Sequence, residues 1–241
     1  MEKELFMKVI VDENFWEIFP DAQISVLSVK GLNNQVDESK DPYFQDLLNK
    51  ASKKALSFIP DEAFTQNEVI QEWREAFSRF KTKKGARSSI EALLKRVSQG
   101  REFRPINPLV DLYNSISLSY ALPCGGENLA SIQGDLYLGK AKGGEAFFPL
   151  GAEEDAPALP EEIIYYDEAG AVCRSLNWRE AQRTMLTEET RDAVLVIEAI
   201  NPSQKERALE AMEALNQLIQ DYFGVTGQIT HLTAQQPSVD I

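Results

Sequence analysis

An α+β chain is what this sequence predicts, on three grounds. Helical patterns gather between residues 42 and 98, short strand patterns gather after residue 135, and the two never alternate with the regularity of a doubly wound parallel sheet. At 241 residues the chain is long enough to bury a sizeable core, and we read 1–241 as a single domain of two intimately packed parts.

The elements follow from local chemistry. Phe6 to Val11 reads as a strand, Asp12 to Phe19 as a short helix closed by Pro20, and Gln23 to Val29 as an alternating strand ended by Gly31. Helices follow at Pro42 to Phe58, Asn67 to Phe80 and Ser88 to Ser98. Asn107 suits a helix N-cap and Pro108 the first helical position; Leu109, Leu112, Tyr113 and Ile116 then make one apolar stripe, with Asp111, Asn114 and Ser115 on another face. Turns of Gly and Pro separate short strands at Asp135 to Ala141, Glu145 to Phe148, Ile163 to Asp167, Ala171 to Arg174 and Ala193 to Ala199. An acidic, Ala- and Pro-rich loop spans Gly151 to Pro160. Ser203 and Glu206 read as a capping box opening a helix through Leu209, Met212, Leu215 and Ile219 that stops before Gly224. Gln228 to Leu232 is a last strand, and the end from Gln235 is expected to fray.

Composition excludes several classes. Lys+Arg 25 against Asp+Glu 38 gives a net charge of -13, which repels polyanions at long range, so any RNA contact must be local and DNA is not expected as a partner. No apolar run approaches a membrane span, and Met1 to Glu4 does not open a signal peptide; a cytoplasmic setting is expected. Cys124, Cys173 and His231 lack the number and spacing of a zinc site, so no metal and no cofactor are expected, and both cysteines read as small buried filler. A Ser-His-Asp triad would have to recruit the lone His231, and no Gly-x-Ser-x-Gly elbow is present. The Gly139 to Gly144 stretch lacks the spacing of a phosphate loop and reads as a turn.

Charge is unevenly spread. Between Gln71 and Arg104 there are ten Lys or Arg against four Glu, a local balance of +6, leaving -19 on the rest of the chain. Lys83, Lys84 and Arg87 fall at a helix start, where backbone N–H groups also face anions; Lys95 and Arg96 follow on the helix. This island suits RNA phosphates, and a solvated helical face explains it as well.

The segment Arg104 to Asn114 resembles the Arg-Pro-Ile-Asn-Asn-Val-Val-Asp-x-Thr-Asn-Tyr signature of the editing region, the third and fourth domains, of the bacterial phenylalanyl-tRNA synthetase beta subunit. Leu186 to Asp192 with the apolar run Ala193 to Ile197 and Glu198 is similar to that region's Thr-Glu-Glu-Thr segment and strand. Gly144 to Gly151 looks like its Gly-Glu-x-Leu-x-Leu-Asp-Gly. The three motifs stand in the family's order and cover about 84–200. The resemblance implies a β-sandwich-like core of unusual topology with surrounding helices, and a pocket where two distant stretches meet.

It also implies a chemistry. An aminoacyl ester is already activated, so a site can hydrolyse it by positioning water and stabilising the oxyanion, without a nucleophilic side chain. Editing of this kind exists because a methylene distinguishes two substrates by only ~1–3 kcal/mol. Carried over residue by residue, Asn114 matches the family's helix Asn, and Tyr113 stands where the family has Thr. Glu198 matches the strand Glu, two residues further from Thr190 than the family spacing. The family's His falls nearest Gly125 and is absent here. The family's glycine-rich connection aligns loosely with Leu176 to Arg179, which differs in character. Asn177, Trp178 and Arg179 offer an aromatic ring beside an amide and a guanidinium, suited to an apolar ligand with a charge, although a core-plugging Trp beside a surface Arg explains them equally. Thr187 with Thr184 and Thr190 reads as a polar lining or as local caps.

The implied activity is trans-editing: hydrolysis of mischarged aminoacyl-tRNA, with Glu198 orienting water, Tyr113, Asn114, Asn177, Trp178, Arg179 and Thr187 around the amino acid, and the basic island on tRNA. A non-catalytic RNA-binding module and a binder of a free amino acid are the alternatives. The oligomeric state is open.

Overall fold

The computed structural model describes residues 7–241, so Phe6 of the first expected strand and the Met1 to Glu4 segment lie outside the described residues. Among the described residues, ten strands form two sheets. A six-stranded sheet has the order β10 (Ser238–Asp240), β1 (Lys8–Val11), β4 (Leu136–Lys140), β5 (Ile163–Asp167), β6 (Gly170–Arg174), β7 (Arg179–Glu180). A four-stranded sheet has the order β3 (Cys124–Asn128), β8 (Ala193–Ala199), β2 (Gln23–Val29), β9 (Gln228–Leu232). Only β1 and β4 run parallel.

Period-two alternation explains how these sheets pack. On the four-stranded sheet Ile24, Val26, Val194 and Val196 point to one side and join Val9, Val11, Leu136, Leu138, Ile163 and Val172 of the other sheet in one buried cluster. Leu27, Val29, Leu195 and Ile197 point to the opposite side, where helices cover them. The result is the expected β-sandwich-like core, with helices outside it.

The helices are α1 (Glu13–Ile18), α2 (Asp41–Ala55), α3 (Glu68–Ser78), α4 (Ser89–Ser98), α5 (Pro108–Tyr120) and α6 (Pro202–Phe223). At the start of α5, Asn107 Oδ1 accepts from the Val110 N–H at 3.1 Å, with proline in the first helical position. The stripe of Leu109, Leu112 and Ile116 is buried against Leu195, Ile197 and the α6 residues Met212, Leu215 and Ile219.

Three expectations are corrected, and one strand lies where no strand was expected. The cap of α6 is Asn201, whose Oδ1 accepts from the Gln204 N–H at 2.9 Å, not Ser203 with Glu206. Asn201-Pro202 repeats the Asn107-Pro108 device, which shifts the start by two residues. Residues 145–148 are not a strand: Glu145 turns back to accept from the N–H groups of Lys142 (2.7 Å) and Gly143 (3.0 Å), leaving only a bridge between Pro149 and Ala181. Cys124–Asn128 is a strand although Gly125 and Gly126 disfavour one, because its backbone pairs with β8 along its whole length. The C-terminal end is strand β10 on β1, with Lys8 opposite Asp240, instead of frayed.

Candidate functional site

Strand register sets a row of side chains on the inner face of the six-stranded sheet. Leu138, Tyr165, Cys173 and Glu180 are successive partners across β4, β5, β6 and β7. From the opposite sheet, Glu198 shares the inward side with Ile24, and Gly125 and Glu127 share it with Val196 and Val194. Three carboxyls therefore enter one interior, two in its depth and one at its edge.

The deep pair is sealed. Glu198 is 1% exposed; Tyr165 Oη donates to its Oε1 at 3.0 Å. Burial pushes its carboxyl up to about 8, while the Tyr165 hydroxyl and the backbone N–H of Asn177 pull the other way. Glu127 Oε1 accepts from the Cys173 thiol at 3.1 Å, so Cys173 is a polar partner rather than inert filler. Burial and then the charge of Glu180 hold Glu127 well above the ordinary carboxyl range. The Thr184 hydroxyl lies close enough to favour the ionised form but outside hydrogen-bond geometry, leaving Glu127 Oε2 and Thr184 Oγ1 both buried without a partner. Burial likewise drives the Cys173 thiol well up, reinforced by Glu127 and Glu180.

Glu180 differs because β7 is the last strand of its sheet. Beyond it a cavity of about 920 Å³ opens between the start of α5 and residues 185–189. Tyr113, Asn114, Glu180 and Thr187 line it, with Ile106 and Leu150, 63% and 57% exposed, at an apolar rim. Burial raises the Glu180 carboxyl to about 7. Tyr113 lines the cavity but is nearly buried, and burial followed by the charges of Glu180 and Glu127 keeps its phenol well protonated.

A fully buried asparagine ties the cavity walls together. Asn34 Nδ2 donates to Thr187 O (2.9 Å) and Asn107 Oδ1 (3.0 Å), and its Oδ1 accepts from the Leu109 N–H at 2.8 Å. Every hydrogen bond of this amide is spent on holding α5 against the 186–187 segment. Thr187 is itself part of a local cap: its N–H donates to Thr190 Oγ1 at 2.9 Å, and its Oγ1 accepts from Glu189 N–H at 3.3 Å.

Not all the expected residues reach this cavity. Asn177 and Trp178 in the turn between β6 and β7, and Arg179 at the start of β7, do not line it; the Arg179 guanidinium lies 4.6 Å from the Trp178 ring centroid. Ser175 and Leu176 in that turn are both left-handed, at φ 48° and 56°. Buried Glu162 anchors the strained turn, accepting from Ser175 Oγ at 2.6 Å and from Arg174 at 2.7 Å. Asn177 occupies the space above Gly125: a Cβ there would lie 2.1 Å from its Nδ2. The turn after β6 thus fills the space over Gly125 with an asparagine side chain.

The basic residues lie elsewhere. Lys83, Lys84 and Arg87 are exposed in the connection before α4, whereas Ile106 and Asn107 at the cavity follow its far end; ten helical residues span about 15 Å. Lys95 sits 4.7 Å from the Phe64 ring and Arg96 4.8 Å from Phe103, so both pack on aromatic faces. His231 pairs with Ser25 at 2.8 Å on the helix-covered side of β2, remote from the cavity residues. Among the described residues, no cluster of His, Cys, Asp and Glu is arranged to hold a metal, and no helix is long and apolar enough to cross a membrane.

Sequence reasoning missed Glu180 and Asn34. Glu180 was legible as the inward partner of exposed Arg179 once β7 was assigned, but two residues give no periodic signal. Asn34 sits in a segment without regular structure.

Comparison with known proteins fits this architecture. No curated protein sequence matches the chain. The crystal structure of an N-terminal fragment of the phenylalanyl-tRNA synthetase beta subunit from Pyrococcus horikoshii is similar in fold, with a TM-score of 0.50 at 12% identity. The likeness covers 96% of this chain and 56% of that one, so this chain spans little more than half the length of the fragment. Residues 72–224 match the B3/4 domain. That match takes in the greater part of α3, all of α4 to α6 and strands β3 to β8, with both walls of the cavity, and the chain belongs to the B3/4 domain family.

Proposed function

We propose that this protein acts in trans on mischarged aminoacyl-tRNA, binding the aminoacyl group in the cavity beside Asn114 and hydrolysing its ester. The observation that carries the reading is Glu180: a carboxyl titrating near neutrality, on the wall of an open cavity of ligand size. As carboxylate it takes a proton from water as the water oxygen attacks the ester carbonyl. Half-buried Asn114 offers an amide donor to the oxyanion. The acyl C–O bond then breaks, and Glu180 returns the proton to the departing ribose oxygen. Glu198 acts from the sealed interior as a positioning residue, through Tyr165 and the turn at Asn177.

The lining favours an ester over a free amino acid. Its charged residues are Glu180, Glu188 and Glu189, with no Lys, Arg or His to hold a free carboxylate. An ester has lost that negative charge and keeps a cationic amine. The motif resemblance in Arg104–Asn114 and residues 186–198 points to charged tRNA as the carrier, and the exposed Lys83, Lys84 and Arg87 supply a local phosphate contact.

A panel of mischarged tRNAs tests this. One or more aminoacyl esters should turn over faster than in buffer, with the enzymatic rate rising through pH 7 as Glu180 loses its proton and levelling above it. Glu180→Gln should lower the rate about 10²- to 10⁴-fold and flatten that rise. Neutralising Lys83, Lys84 and Arg87 should weaken tRNA retention and reduce its salt dependence. No turnover of any ester would sink the hydrolase. A second reading, binding of the aminoacyl end without hydrolysis, is favoured by the burial of Glu198 away from the cavity lining; it predicts retention of charged tRNA with unchanged ester lifetime.

A further inference from the structure

We infer that the neighbouring aromatic cavity is a nucleoside site, holding the terminal adenosine of the RNA whose aminoacyl group enters the cavity at Glu180. The inference rests on the proposed reading for the identity of the ligand, but not on hydrolysis.

This second cavity, of about 750 Å³, shares Gln35 on its lining with the first. An aminoacyl group is esterified directly to the ribose of the last nucleotide. A ligand with its acyl part in the first cavity can therefore place its nucleoside in the cavity across Gln35.

The chemistry of the lining is that of a nucleoside site. Tyr43 is 43% exposed and lies nearly parallel to Tyr222, at 16° with centroids 6.0 Å apart; Phe223 stands edge-on to Tyr222 at 4.8 Å. Exposed, mutually braced aromatic rings are the usual platform for an unpaired base. Asn33 and Gln35 present amides, which read a base edge by paired donor and acceptor groups. Asn33 is fixed by Arg191, whose guanidinium donates to its Oδ1 at 3.2 Å.

Asp37 and Asp221 also line the cavity, against a single Lys40. A net acidic wall repels phosphate but accepts hydrogen bonds from ribose hydroxyls. Asp37 accepts from the Ser39 N–H at 3.0 Å and Asp221 from Gln217 at 2.8 Å, and both carboxylates are exposed, so each can accept a further bond from a hydroxyl. The pattern of aromatic face, amide edge and carboxylate selects a neutral nucleoside over a phosphate-rich nucleotide.

The probe is the unacylated trinucleotide cytidylyl-cytidylyl-adenosine, titrated into the full-length protein by calorimetry, with adenosine triphosphate as the phosphate-rich control. Tyr43→Ala should weaken trinucleotide binding about 5- to 150-fold, the range for losing one base–aromatic stack. Tyr43→Phe should bind as the wild type does, which separates stacking from misfolding. Adenosine triphosphate should bind no better than the trinucleotide. Equal binding by Tyr43→Ala and wild type, or tighter binding of the triphosphate, overturns the nucleoside site. If the trinucleotide binds in this Tyr43-dependent way while no aminoacyl ester is hydrolysed, the nucleoside site stands and the hydrolase falls. If esters are hydrolysed with kcat/KM unmoved by Tyr43→Ala, the hydrolase stands and the nucleoside site falls.

Discussion

Glu198 and Glu180 project into the same interior, yet one is sealed at its centre and the other meets solvent at its edge. Glu198 sits on β8, the inner strand between β3 and β2, under Tyr165 and the Asn177 turn. Glu180 sits on β7, where the six-stranded sheet ends and nothing pairs beyond it. Burial raises both carboxyls, to about 8 and about 7. Only the second lines the open cavity. A sandwich thus tunes acidity by depth and confines chemistry to the place where a strand row runs out.

The sharpest test of depth is the stability of the protein in alkali. The folded Glu198 titrates near 8 and the ordinary value is 4.5, so the folded state holds the extra proton between them. Its contribution is fully present below about pH 4.5 and is lost as pH rises towards 8, at a cost of about 4–5 kcal/mol once the carboxylate forms. Glu198→Gln keeps a group that accepts from Tyr165 and never ionises. Urea unfolding should find variant and wild type close at pH 5 and the variant markedly more stable at pH 9. Parallel stability curves would show that Glu198 reaches water and would erase the distinction from Glu180.

A smaller effect probes how the interior is filled. A Cβ at Gly125 meets the Asn177 side chain at 2.1 Å, and that side chain also faces the Cys173 thiol at 3.6 Å. Gly125→Ala should cost about 1–3 kcal/mol as overpacking. Asn177→Ala removes the obstacle, so the double variant should be more stable than the sum of the two predicts, by about 1 kcal/mol or more. Strict additivity would mean that the Asn177 side chain does not fill the space over Gly125.

These contrasts mark how far the sequence is legible. The alternation in β2 and β8 and the paired Asn-Pro caps of α5 and α6 are local signals, so the layers and their inward faces could be read from residues alone, even though the second cap lay two residues from where Ser203 suggested. Asn114 and Thr187 at the cavity followed from motif likeness. Three features were not legible, each for a physical reason. The strand at Cys124–Asn128 exists through pairing with β8 against the tendency of its glycines. The turn at Ser175 and Leu176 carries no Asn-Gly signal, because buried Glu162 holds it. The strand β10 draws its order from β1, more than 220 residues away.

The mildest expected effect falls on the open side. Asn114 is half-buried on the cavity wall within α5, where alanine is the better helix former and no core void opens on truncation. Asn114→Ala should therefore leave stability within about 0.5 kcal/mol of the wild type, while removing the amide that faces the oxyanion lowers kcat more than it raises KM. The same truncation at a sealed residue such as Leu195, fully buried against α5 and α6, should cost about 2–5 kcal/mol. A large stability loss at Asn114 would place it in the packed layer instead, and the line between structural interior and working surface would have to be redrawn along Glu180 alone.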